Sequence, residues 1–130
     1  MDITIDTSTL LAVICGEPSR KRAIEVTASH TLVAPGSLHW EMGNALSAMV
    51  KRQRITPAQA NDLIDVYLQI PIRLIDVDLK QAMGLVKRLR IYAYDAYMLV
   101  CAQQIGTPLL TLDDALRVHA ESVGIDTLEI

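Results

Sequence analysis

The stretch Ile3-Thr4-Ile5-Asp6-Thr7-Ser8-Thr9-Leu10-Leu11-Ala12-Val13-Ile14 decides how the rest of the chain is read. Ile3 and Ile5 make a short β-branched strand pattern with an acid at its carboxyl end. Three hydroxyl residues follow, then an apolar run suited to a buried helix. In an open parallel sheet, ligands gather beyond the carboxyl ends of the strands. Asp6 therefore stands where function is expected. The other candidates are acids that the fold would bring round to meet it.

Working outward, helices and strands alternate. Gly16-Glu17-Pro18 breaks the first helix, and Pro18 suits the first turn of a second that runs to about Ala28. Thr31–Ala34 reads as a strand, and Ser37 as the cap of a long helix from Leu38 to Arg52. Thr56-Pro57 opens a helix to about Gln69, and Arg73–Ile75 is a strand. Asp78 begins a helix to Leu89, and Tyr94 to Ile105 forms an apolar helix stopped by Gly106. Pro108–Leu112 is a buried strand, Asp113 or Asp114 caps a helix to Val123, and Asp126–Ile130 is an edge-like strand. This alternation predicts an α/β fold with a mostly parallel sheet of four to five short strands, covered on both faces by about seven helices.

The 130 residues fit one domain, residues 1–130. Mean hydropathy is positive, and with five aromatics and no Phe the core must be aliphatic. The net charge of −3 argues against general attraction to nucleic acid, though not against a local basic rim. No apolar run approaches the ~20 residues of a membrane span, and no secretory signal opens the chain. Cys15 and Cys101 fall in apolar helical patterns and read as buried free thiols, as in a reducing cytoplasm.

The informative acids lie in apolar stripes. Leu38, Met42, Ala45, Leu46 and Met49 share one helical face, and Glu41 lies on it. Asp95 precedes Met98, Leu99 and Ala102 by three, four and seven residues, so it projects from a helix apolar nearly all round. Asp113 follows the strand Leu109-Leu110-Thr111-Leu112 and matches Asp6 at the sheet edge. Each has a bland reading: a salt bridge for Glu41, an N-terminal acid for Asp95, a helix cap for Asp113. Asp114 is an alternative at the same corner and otherwise a polar neighbour.

Together they ask for a different explanation. Two unit charges 4 Å apart repel by about 4 kcal/mol at an effective dielectric of 20, so four converging carboxylates need a cation. An all-oxygen set without His or Cys suits Mg²⁺ or Mn²⁺, as used in phosphodiester hydrolysis. His30, His39 and His119 are scattered, which argues against a histidine-based site.

The chain resembles the PIN-domain ribonucleases, in particular the short toxins of the VapC type. Ile5-Asp6-Thr7-Ser8 with Leu10-Leu11 is similar to that family's first motif, and Gly16-Glu17-Pro18 after the helix is typical. Ser37 to Glu41 with Gly43-Asn44-Ala45-Leu46 resembles the second motif, Tyr94-Asp95-Ala96 the third, and Thr111-Leu112-Asp113 the fourth. The resemblance implies a three-layer α/β/α sandwich with Asp6, Glu41, Asp95 and Asp113 as catalytic, metal-binding acids. Ser8 and Thr111 would be polar neighbours that orient them. It further implies Mg²⁺- or Mn²⁺-dependent cleavage of RNA, a homodimer and a cognate antitoxin.

Two basic clusters suit either solvated helix ends or phosphate contacts. One is Lys51, Arg52 and Arg54. The other is Lys80, Lys87, Arg88 and Arg90, with Tyr92 or Tyr94 nearby. Ile64, Tyr67 and Leu68 suit the core or a partner groove, while Trp40 and Tyr97 read as packing residues. A haloacid-dehalogenase-like phosphatase is the rival enzyme, since it too uses an acid after its first strand and a late Asp-Asp pair. Ser8, where its second acid would stand, counts against it. A catalytically idle binding module is the non-enzyme alternative, and a receiver-type domain lacks its early acid pair.

Overall fold

A computed structural model describes residues 1–130. The elements are β1 (Asp2–Ile5), α1 (Thr7–Ile14), α2 (Arg20–Thr27), β2 (Thr31–Pro35), α3 (Leu38–Lys51) and α4 (Pro57–Leu68). They continue with β3 (Ile72–Ile75), α5 (Leu79–Leu89), α6 (Ala93–Ile105), β4 (Leu109–Leu110), α7 (Asp114–Ser122) and β5 (Thr127–Leu128). The five strands form one sheet in the order β3-β2-β1-β4-β5, and every pairing is parallel. The predicted α/β architecture is present.

β1 is the pivot. The chain first builds outward from it through β2 to β3, then returns to lay β4 on its other side. The order thus reverses between β1 and β4, whose Ile5 and Leu110 are paired. The helices after these two strands lie on opposite faces, so a crevice opens at their carboxyl ends. Asp6 and Asp113 are the residues at those ends.

Strand periodicity sorts the core into two layers. Ile3, Ile5 and Leu110 pack with Leu10 and Ile14 of α1, Leu38 and Met42 of α3 and Tyr67 of α4. Leu109 faces the other way, onto Leu85 of α5, Leu99 of α6 and Leu116 of α7. Thr4 also points to that second face, where its hydroxyl bonds Thr107 at 2.6 Å. Tyr67 is therefore a core residue, whereas Leu68 beside it is 61% exposed.

Most helix starts follow local chemistry. Thr56 and Gln59 form a reciprocal capping box with Pro57 behind it. Asp78 accepts from the backbone N–H groups of Lys80 and Gln81. Ser37 departs from expectation. Its backbone is already helical, its carbonyl accepts from Trp40 and Glu41, and its buried hydroxyl has no partner. A cap needs extended backbone to fold its side chain back onto the first turn, and here the chain has turned before Ser37. Pro18 precedes α2 rather than standing in its first turn, since α2 begins at Arg20. β4 and β5 are each two residues long, shorter than their apolar runs suggest. Cys101 is buried as expected, but Cys15 only partly, and both are free.

Candidate active site

Asp6 is the N-cap of α1 and is 4% exposed. Its Oδ1 accepts from the Thr9 backbone N–H at 3.0 Å and the Thr9 hydroxyl at 2.9 Å. Ser8 Oγ lies 2.9 and 2.8 Å from its two oxygens, and the Thr111 hydroxyl donates to Oδ2. Burial pushes the Asp6 carboxyl above its ordinary range, while these donors, Thr111 foremost, pull the other way. Ser8 and Thr111 each do two jobs. Ser8 Oγ accepts from Leu112 N–H at 3.1 Å, and Thr111 Oγ1 from Asp113 N–H at 2.9 Å. They staple the β1–α1 corner to the β4–α7 corner.

At that second corner the paired acids separate. Asp113 caps α7, with its Oδ1 accepting from Leu116 N–H at 3.0 Å. Asp114 leaves the site, correcting its expected place as a polar neighbour. Its side chain is 91% exposed and pairs with Arg117 at 2.9 Å. Arg117 also donates to the Thr111 carbonyl at 2.7 Å.

Glu41 and Asp95 stand in the first turns of α3 and α6. Glu41 Oε2 is buried and has no hydrogen-bond partner. Burial, reinforced by the charges of Asp95 and Asp6, pushes the Glu41 carboxyl up to about 7, with the nearby Thr7 hydroxyl opposing the rise. That hydroxyl also lacks a hydrogen bond. Asp95 is raised by burial and by Asp113 and Asp6, and His119 partly offsets this. The histidine is thus close enough to matter electrostatically, which its sequence position did not suggest.

Asp6, Glu41, Asp95 and Asp113 all line one cavity of about 260 Å³, with Thr7, Ser8, Leu11, Tyr94, Met98 and Leu116. No three of the carboxylates approach tightly enough to form a finished ligand cage. Facing acids that repel one another are expected to stand apart unless a cation lies between them. The donors are all hard oxygens, one of them buried and unpartnered, which fits Mg²⁺ or Mn²⁺. Leu11, Met98 and Leu116 wall the cavity with apolar surface.

Sequence reasoning passed over Thr9 as a ligand of Asp6, although its place three residues after an N-cap acid is a readable signal. The Arg117 brace and the unpartnered Thr7 hydroxyl have no such signal. Trp40 is 68% exposed, its ring edge-on to His39 at 5.3 Å, and is not a packing residue. Tyr97 is half-buried, edge-on to Tyr94 at 6.1 Å.

The family model described as the PIN domain matches residues 3–122, so the chain belongs to the PIN-domain family. Its fold is shared with solved structures across nearly the whole length. PAE2754 from Pyrobaculum aerophilum is 22% identical, with 95% of each chain covered and a TM-score of 0.71. VapBC2 from Rickettsia felis, bound to a DNA fragment from its promoter, is 16% identical, covering 99% of this chain and 98% of that one, with a TM-score of 0.68. VapC20 from Mycobacterium tuberculosis, a toxin that cleaves the sarcin–ricin loop, is 15% identical, covering 98% and 99%, also with a TM-score of 0.68. No curated protein matches the chain. No helix is long and apolar enough to cross a membrane.

Proposed function

We propose that the protein is a metal-dependent endoribonuclease, the toxin of a toxin–antitoxin pair, and that Asp6, Glu41, Asp95 and Asp113 hold Mg²⁺ or Mn²⁺. The observation that carries this reading is the shared cavity, which four carboxylates from four elements line and in which Glu41 Oε2 has no hydrogen-bond partner. RNA as substrate is supported by the sarcin–ricin loop cleaved by the mycobacterial neighbour. A protein antitoxin is supported by a further structural neighbour, a toxin–antitoxin complex from Klebsiella pneumoniae. A homodimer in a reducing cytoplasm belongs to the same reading.

Bound in this cavity, a divalent cation would neutralise charge on the scissile phosphate and lower the pKa of an attacking water. The chain's own groups do the rest. Asp6, gripped by Ser8, Thr9 and Thr111, is a fixed anchor with little freedom to reorient. Asp113 spends Oδ1 on capping α7, which leaves its other oxygen for the cavity. Glu41 would take the proton that water gives up as its oxygen bonds phosphorus and the bond from phosphorus to the ribose oxygen breaks, and would return that proton to the leaving ribose oxygen. The apolar wall limits bulk water and strengthens each electrostatic contact.

Purified protein with Mg²⁺ or Mn²⁺ is expected to cut RNA internally, and EDTA to stop it. Hydrolysis of a phosphomonoester without RNA cleavage would instead support the phosphatase reading. Binding of RNA with no cleavage under either metal would support the idle module.

A further inference from the structure

The link between α5 and α6 leads to Tyr94, which lines the cavity from the first turn of α6. α5 ends at Leu89 and α6 begins at Ala93, so three residues join them. Lys87 and Arg88 lie in the last turn of α5, and Arg90 follows in left-handed backbone with φ 54°. All three are exposed. The ion pairs of the fold join Arg22 to Glu25, Arg73 to Asp2 and Arg117 to Asp114, so these three cations are unpaired. The chain carries fifteen acids against twelve Lys and Arg, yet residues 87–94 hold three cations and no acid.

A helix C-terminus favours cations on its own account, but it does not explain the aromatic residues that follow. Tyr92 is 87% exposed. Tyr94 is 40% exposed, lines the cavity and has its ring set edge-on to Tyr97. Both residues are exposed and lie within three residues of Asp95.

We propose that this edge guides a single strand of RNA into the cavity, with Tyr94 and Tyr92 stacking bases and Arg90, Arg88 and Lys87 holding phosphates beyond them. The proposal rests on the nuclease reading above for what happens at the end of the track. The four steps of chain from Arg90 to Tyr94 span at most about 14 Å, comparable with four stacked nucleotides at about 3.4 Å each. Aromatic faces select single strands or loops, because an A-form duplex keeps its base faces covered. The other basic cluster does not compete. Lys51 lies ten residues after Glu41 on α3, about 15 Å along the helix axis, and the exposed Trp40 of that helix stands eleven residues before it.

The test uses the full chain carrying Glu41→Gln to slow cutting, with Mg²⁺ present and a labelled single-stranded oligoribonucleotide read by anisotropy. Tyr92→Leu is expected to weaken binding about tenfold while Tyr92→Phe binds like its parent, since stacking needs the ring and not the hydroxyl. Changing Lys87, Arg88 and Arg90 together to Gln is expected to flatten the dependence of log K on log salt by about 2, at ~0.7 per phosphate on a single strand. A parent that binds no RNA, or variants that match it in affinity and salt slope, would overturn the track. So would an equal loss with duplex RNA. Cleavage in the native background separates the two readings. If the parent cuts and the variants keep its kcat/KM, the track falls and the nuclease stands. If RNA binds through Tyr92 but neither metal supports cutting, the track stands and the nuclease falls.

Discussion

Two carboxylates on the same cavity live in opposite surroundings. Asp6 is almost fully enclosed and surrounded by donors from Ser8, Thr9 and Thr111. Glu41 has a buried oxygen that nothing in the chain satisfies. Both are raised by burial, and the protein answers at Asp6 with donors from Ser8, Thr9 and Thr111, at Glu41 with the Thr7 hydroxyl alone. One side of the cavity is completed by the fold. The other is not.

The sharpest way to break that contrast is to neutralise each acid isosterically. Glu41→Gln is expected to lower RNA cleavage by at least 10²–10³-fold, the usual loss when a major electrostatic group leaves an active site. Its melting temperature should stay level or rise, because a buried charge has been removed. Asp6→Asn should lose activity to the same degree but also stability, by about 1–3 kcal/mol, because an amide NH₂ now faces hydroxyl and N–H donors. Thermal unfolding of both variants beside a cleavage assay decides the matter. Equal destabilisation of the two would dissolve the distinction.

Thr111→Val probes the staple. It removes a donor to Asp6 and an acceptor for Asp113 N–H, and should weaken Mg²⁺ binding by about 10–100-fold, as loss of an outer partner commonly does. Calorimetric titration of the metal would read this, with Thr111→Ser restoring most of the affinity. Metal itself should stabilise the parent by about 2.7 kcal/mol at a hundredfold excess over Kd. EDTA should remove that gain, and Glu41→Gln should lack most of it.

The smallest effect expected is on pH. The folded Glu41 carboxyl titrates near 7 against an ordinary 4.5, so the native state holds this proton more tightly than the unfolded chain does. Its contribution is fully present below about 4.5 and is lost as pH rises through about 7. Metal-free protein should therefore melt at higher temperature as pH falls through that window. Asp6 and Asp95 act in the same direction. Saturating Mg²⁺ should flatten the trend, since protons and metal compete for the same oxygens. A melting temperature that rises with pH across the window in metal-free protein would contradict the raised carboxyl.

Much of this was legible before the fold was seen, and for local reasons. Ile3 and Ile5 alternate with Thr4 because a strand has a period of two, and Asp6 stands out as an acid at that strand's carboxyl end. Thr56 and Asp78 read correctly on the same grounds. Ser37 did not, because whether a hydroxyl caps depends on backbone angles that tertiary packing imposes. Asp113 and Asp114 are adjacent and chemically identical, so only the direction in which α7 leaves the sheet sends one into the cavity and the other to Arg117.

What the sequence determined by itself was the list of elements and the candidate acids, Glu41 and Asp95 in apolar helical stripes and Asp6 and Asp113 at strand ends, since hydrophobic period and capping act over a few residues. That β4 lies against β1, that Ser8 and Thr111 join two corners a hundred residues apart, and that Glu41 keeps an oxygen buried without a partner were decided only by the packed structure. Those facts depend on strand order and helix direction, which no short stretch of chain encodes.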